Sequence, residues 1–359
     1  MKRTLINIAI LSTILGTGMA QAGGWDRSGQ DTSIILKEGN LLEVTSVSVA
    51  PKITGTYLGS SNATGDVATD YSFTNIAFRT QINDDVSIAL IQDEPFGAGV
   101  DWKNGTGAYT TVNAKISADA TTVMVGYDLD NVTIYGGIKN QTFGAKAYVP
   151  ISGVGYMNIT STPDTSLGYV VGAAIERPEI ALRVALTYHT KITHDVSIVE
   201  TLNGGAATPS TLTADTPSSF NLDFQTGVAE NTLLFGTIRS VQWTQTVLNP
   251  ALYVANANKP LKKFTSDTVS YSLGLGRKFS NQWSGAVTYG TEAAEGTAGG
   301  PLGPTDGYSK MGVGVTYSGE RANITLGVQQ INNGDTAAPA ATMSDNTTLV
   351  TAVKIAYNF

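Results

Sequence analysis

The stretch that most constrains this chain is its last one, Thr347 to Phe359, reading TTLVTAVKIAYNF. In an extended chain Leu349, Thr351, Val353, Ile355, Tyr357 and Phe359 fall on one side, and Val350, Ala352, Lys354, Ala356 and Asn358 on the other. One face is apolar and the other is small or polar. A terminal strand of this kind, ending on an aromatic residue, suits either the edge of a soluble sandwich or the closing strand of a membrane barrel, whose backbone must be sealed against its first strand.

The other end of the chain separates those alternatives. Lys2 and Arg3 precede an apolar run from Leu5 to Leu15 and then Ala20-Gln21-Ala22, the order of a secretory leader with its cleavage site. Residues 1–22 are therefore expected to be a signal peptide. Beyond them no stretch approaches the roughly 20 apolar residues that a membrane helix needs. Cysteine is absent, which excludes disulfides, thiolate metal sites and cysteine nucleophiles, and the two histidines, His189 and His194, make a histidine-built metal hydrolase a poor fit. A net charge of −7 with scattered basic residues argues against nucleic acid as a partner. Abundant glycine and sparse charge suit strands with one greasy and one wet face.

After a glycine-rich, aperiodic segment (23–40), expected to be a short plug, the strand signals arrive in pairs with connections that alternate between short and long. The strand from Tyr71 to Ile82 turns at once through Asn83-Asp84-Asp85, whereas the strand before it is followed by the polar loop 59–69. The cleanest alternation sets Phe220, Leu222, Phe224 and Val228 against Asn221, Asp223, Gln225 and Gly227. The count comes to about fourteen strands of about ten residues, the length that crosses a bilayer when tilted. The expected fold is an all-β transmembrane antiparallel barrel over residues 41–359. In the third strand, Asp93-Glu94-Pro95-Phe96-Gly97 must interrupt the ladder, because proline has no N–H and glycine permits a bend.

These residues, together with Asn221 to Gly227, Trp243, Asn249-Pro250-Ala251, Gly274-Leu275-Gly276 and Leu302 to Tyr308, resemble the FadL/TodX family of outer-membrane transporters for long-chain fatty acids and other hydrophobic compounds. The resemblance spans nearly all of the mature chain. It implies an N-terminal plug, an outer capture groove on extracellular loops, a lumenal ligand pocket and a kinked third strand that opens sideways. It also implies a Gram-negative outer membrane, with lipid around an expected monomer. One departure matters: the segment before the first strand is short, and Asn-Pro-Ala occurs only in a later loop, so plug residues cannot be transferred.

Pro95, Phe96 and Gly97 are the foremost candidates for the ligand path, since a break in the wall exposes backbone that lipid cannot satisfy; a bulge that only curves the sheet is the alternative. Trp25, with Asp26 and Arg27, either caps the lumen or forms a loose tail. Among lumen-facing charges, Arg79, Lys139 and Arg183 are candidate partners for a fatty-acid carboxylate. Phe143, Tyr148, Val149, Ile151, Val154, Tyr156 and Met157 read as an apolar stretch inside a loop, a candidate outer groove. Tyr71, Trp102, Tyr109, Tyr169, Trp243, Tyr271, Trp283 and Tyr317 read as interfacial girdles. The expected activity is passive uptake of a hydrophobic ligand without cofactor or chemistry. A general porin for hydrophilic solutes is the first rival, and a barrel lipase using His189 the second.

Overall fold

The computed structural model describes residues 24–359 other than 60, 104, 107, 108, 110, 297–299, 339 and 340. The expected leader, 1–22, lies outside the described residues. Fourteen antiparallel strands close into a barrel. They are β1 (Leu41–Lys52), β2 (Tyr71–Gln81), β3 (Val86–Asp101), β4 (Asn113–Leu129), β5 (Val132–Ile151), β6 (Asp164–Arg177) and β7 (Leu182–His189). The circuit continues through β8 (Ser219–Ala229), β9 (Thr232–Val241), β10 (Thr268–Lys278), β11 (Trp283–Glu292), β12 (Tyr308–Ser318), β13 (Ala322–Asn333) and β14 (Asn346–Asn358). Each strand pairs with the next, and β1 pairs with β14 from Leu41↔Asn358 to Lys52↔Thr347.

Alternation decides which way each strand faces. The apolar positions of β14 point outward, as do Leu167, which is 62% exposed, and Met311 at 67%. Surface of that kind is stable only against lipid. Inward positions carry small or polar groups, among them Glu43, Arg79, Asn221 and Lys354, all buried. Short connections gather at the end where β1 begins and β14 finishes. Asp130 and Asn231 take positive φ (58° and 56°) in two of these tight turns, a conformation that Asp and Asn tolerate better than most residues.

At the other end the sheet rises beyond the barrel. Strand Gly155–Thr162 pairs with the upper part of β5 and with Ile192–Leu202, which in turn pairs with Thr208–Thr216. This corrects the expectation of a loop groove after Gln141. Phe143, Ala145, Ala147, Val149 and Ile151 continue the alternation of β5 inward, and Phe143, Val149, Ile151 and Met157 are buried. Val154 is exposed in the turn, and Tyr148 and Tyr156 remain on the outer side, stacked with ring centroids 5.2 Å apart. The girdle reading is corrected in part as well. Trp283 and Tyr317 do meet on the outer face, 5.1 Å between rings, but Trp102, Tyr109 and Trp243 are core residues.

One long connection carries the Asn249-Pro250-Ala251 motif, which starts helix α1 (Ala251–Ala257). Buried Glu200 accepts hydrogen bonds from the Leu252 and Tyr253 amides at 3.0 and 2.8 Å, so a carboxylate satisfies the exposed N–H groups of the first turn. Among the described residues no helix is long and apolar enough to cross a membrane.

Candidate functional site

The wall breaks where the sequence places proline and glycine. Pairing of β3 with β4 shifts register between Asp93 and Phe96, and pairing of β2 with β3 runs only from Gln81↔Ser87 to Ile76↔Gln92. Higher up, β3 is held by another segment: the Asp101 amide donates to the Val67 carbonyl at 2.9 Å. Between these points β2 and β3 part.

The inserted N-terminal segment takes the vacated edge. The Arg27 amide donates to the Pro95 carbonyl at 3.0 Å, the Ser28 amide to that of Glu94 at 3.1 Å, and the Gly97 amide to that of Trp25 at 2.7 Å. Backbone that lipid could not satisfy is thereby satisfied within the protein. The side chains extend the contact. Arg27 is ion-paired with Glu94, and its guanidinium lies 4.0 Å from the ring centroid of Tyr71, so it reaches from β3 to the end of β2. Ser28 donates to Asp93 at 2.5 Å. Asp26 receives two hydrogen bonds from Arg239 on β9, at 2.6 and 3.0 Å, the bidentate geometry that fixes both distance and orientation.

Trp25 divides the lumen. It packs edge-on against Trp243 (6.0 Å) and Phe264 (5.0 Å), and Phe96 joins the cluster through Trp243 at 5.5 Å. Above it is an apolar chamber of about 600 Å³ lined by Ala98, Val100, Ile116, Ala147, Ile198 and Leu261. Small inward residues such as Ala98, Ala114 and Ala145 leave that space open. Three lysines border it: Lys115 and Lys146 are exposed, whereas Lys262, in a connection, is half-buried, its ammonium 4.6 Å from the ring centroid of Phe264. Burial lowers its pKa below the usual lysine range, with Asp306 pulling the other way. Below Trp25 is a polar cavity of about 1050 Å³, lined by Asp31, Lys37, Arg183, Asn221, Asp223 and Arg239 among others.

The sequence candidates are distributed unevenly over this arrangement. Trp25 borders the chamber, Phe96 belongs to its aromatic floor, and Pro95 and Gly97 form the break beside it. Arg79 donates to the carbonyls of Ile35 (3.3 Å) and Gly39 (2.5 Å), and Arg183 to that of Leu36 (2.9 Å), so these two cations hold the inserted segment. Lys139 lies 3.2 Å from His189 Nδ1. None of the three lines the apolar chamber. Phe143 stacks on His194 at 5.5 Å inside the core. Sequence reasoning missed Arg239 and Lys262. Both faces of β9 carry apolar residues, Leu233 and Phe235 inward and Leu234 and Ile238 outward, so the parity of Arg239 was unreadable. Lys262 sits in a connection with no period.

No family model and no curated protein matches the chain. Solved structures do. A FadL homologue of Pseudomonas aeruginosa superposes with a TM-score of 0.78 at 13% identity, covering 97% of this chain and 98% of that one. The toluene transporter TodX of Pseudomonas putida follows with 0.66, 12% identity and 97% of each chain. The monoaromatic hydrocarbon channel CymD gives 0.63 at 8%, covering 97% and 98%. At such identities the likeness establishes the fold, which is that of the FadL/TodX outer-membrane barrels.

Proposed function

We infer that this barrel is an outer-membrane channel for passive uptake of small hydrophobic molecules, with long-chain fatty acids as its foremost ligands. In this reading 1–22 is removed as a leader, 23–40 is the plug and 41–359 the channel, working as a monomer. The observation that carries the reading is that three consecutive residues serve two purposes. Trp25 is the floor of the apolar chamber, while Asp26 and Arg27 hold the plug to the wall and close the break at Pro95 to Gly97. A ligand that enters the chamber and displaces the Trp25 ring draws Arg27 from its place between Glu94 and Tyr71. The ligand then leaves sideways through the wall rather than through the polar cavity below.

The solved neighbours include channels for toluene and other monoaromatic hydrocarbons, which carry no charge. Lys262 distinguishes this chamber from a purely apolar one, because an ammonium at an apolar wall favours an amphipathic anion. Retention of such an anion weakens as pH rises through the lowered pKa of Lys262, where the ammonium loses its proton. The porin reading draws on the polar lower cavity and predicts a steady ionic conductance.

The test is uptake of labelled oleate and labelled toluene into proteoliposomes by wild type, Gly97→Val and Lys262→Met. Wild type should take up both. Gly97→Val, folded but with Arg27 displaced, should show altered release of both, and Lys262→Met should lose oleate selectively. Free passage of small sugars by wild type, without oleate uptake, would replace this reading with the porin.

A further inference from the structure

We propose that the outer face of β4, β5 and the strand Gly155–Thr162 binds the phosphorylated sugar head of a glycolipid in the outer leaflet. Lys115 and Lys146 are directly opposite one another across β4 and β5, and both are exposed. Neither makes an ion pair among the described residues. Like charges in direct cross-strand register, with Cβ atoms about 5 Å apart, repel one another. Both residues border the apolar chamber, but their side chains are exposed and no acidic partner holds them. A single phosphate between the two ammonium groups converts the repulsion into two charge-assisted contacts.

The surroundings give the rest of the ligand's shape. The next outward row carries Asn113, Tyr148 and Asn158, again in direct register, and Tyr148 stacks on Tyr156 with rings 8° from parallel. Half-exposed aromatic faces flanked by amides suit a sugar ring, which offers an apolar face and a rim of hydroxyls. An acyl chain offers neither. Depth fixes the source. On β5 the exposed apolar residues are Val132, Ile134 and Ile138, and a tilted strand crosses the hydrocarbon in about 10 residues. Lys146 comes after that crossing, at the level of polar heads rather than of acyl chains.

The acidic groups nearby do not occupy the site. Glu94 influences Lys115 electrostatically but is held by Arg27, Asp101 lies 3.8 Å from Lys103, and Asp119 is four residues below Lys115 toward the membrane.

The proposal rests on the barrel lying in an outer membrane, and its readout is retained lipid rather than uptake, so it stands or falls separately from the transport reading. Wild type and Lys115→Gln/Lys146→Gln are placed in phosphatidylcholine nanodiscs doped with lipid A, dephosphorylated lipid A or phosphatidylglycerol, and bound lipid is read by native mass spectrometry after detergent extraction. Wild type should retain lipid A and not its dephosphorylated form, with retention falling as salt rises. The double variant should lose it while keeping the heat-modifiable mobility of a folded barrel. Tyr148→Ala/Tyr156→Ala should lower the preference for lipid A over phosphatidylglycerol. Equal retention of lipid A by wild type and the lysine variant would overturn the site, and equal retention of lipid A and phosphatidylglycerol by wild type would overturn the sugar component.

Discussion

Two junctions in this barrel have strands of similar length and opposite outcomes. At the seam, β1 and β14 pair at twelve consecutive positions from Leu41↔Asn358 to Lys52↔Thr347. Two strands further round, β2 and β3 pair at six, from Ile76↔Gln92 to Gln81↔Ser87, and the edge beyond is covered first by residues 25–28 and then by the segment at Val67 and Ala68. Both junctions satisfy the backbone, as a barrel in lipid requires. They differ in what supplies the partner. A full ladder holds through a dozen pairs, whereas three main-chain bonds, each contributing about 1 kcal/mol net, hold the segment at the break. Closure at the break thus depends on a separate segment of the chain, tied down mostly by its side chains.

The change expected to upset this comparison most is Arg239→Ala. Arg239 bonds Asp26 twice and also reaches Gln30 (3.1 Å), Asn221 (2.7 Å) and Ser219 (3.2 Å). Its loss leaves the half-buried carboxylate of Asp26 unpaired, a cost of up to about 3–5 kcal/mol to docking of the segment. Hydrogen exchange at amides 25–28 should accelerate and ionic conductance should rise, with the seam unaffected. Unchanged protection at those amides would mean that the backbone bonds suffice.

Glu43→Gln examines the other junction. Glu43 bridges Lys37 (2.6 Å) and Lys354 (2.8 Å) beside the seam. A neutral amide there leaves two buried ammonium groups under-compensated, costing about 2–3 kcal/mol. The barrel should lose its heat resistance at a lower temperature in detergent while the break stays closed to ions. A conductance comparable to that of Arg239→Ala would show that the two junctions are not independent.

The difference between the junctions was half legible in the sequence. Strand order and facing could be read because outward apolar residues repeat every second position against a wet interior, as in β8 and β14. The break could be read because Pro95 lacks the amide that a ladder needs. What fills it could not. Residues 24–30 have no period: an isolated bridge, Asp26↔Phe96, and three main-chain bonds lay residues 25–28 on the edge of β3 before the chain turns at Gly29 and Gln30. Their anchors lie far away in the chain, at Arg239 and Tyr71. The apolar run from Phe143 to Met157 misled for a related reason: a strand that continues beyond the membrane buries its inner face against other connections, a contact that no local pattern announces.

Smaller changes refine how the joint is closed. At Gly97 a methyl group would lie 2.5 Å from the guanidinium carbon of Arg27. The atom displaced is the end of a flexible side chain, so Gly97→Ala should leave the barrel folded. It should instead drive Arg27 from Glu94 and Tyr71, a loss of about 1–3 kcal/mol from the closed state. Oleate release should quicken, and Arg27→Ala should add little further effect in the same background. Additive effects would place the action of Gly97 elsewhere.

Tyr71→Phe is the finest of these tests, because two terms oppose one another on one side chain. The Tyr71 hydroxyl is buried with no hydrogen-bond partner among the described residues, so removing it relieves a desolvation cost of about 1 kcal/mol. The ring that Arg27 faces at 4.0 Å is retained, although phenylalanine is a slightly weaker partner for a cation. The net change in protection of amides 25–28 should therefore stay within about 1 kcal/mol and lean toward a tighter closure. Tyr71→Leu keeps apolar bulk but removes the aromatic face, and should loosen the same amides by about 0.5–2 kcal/mol. If the two variants behave alike, Arg27 closes the wall by packing and its ion pair alone. If only the leucine variant loosens it, the aromatic face at the end of β2 is what the seam supplies with a whole strand.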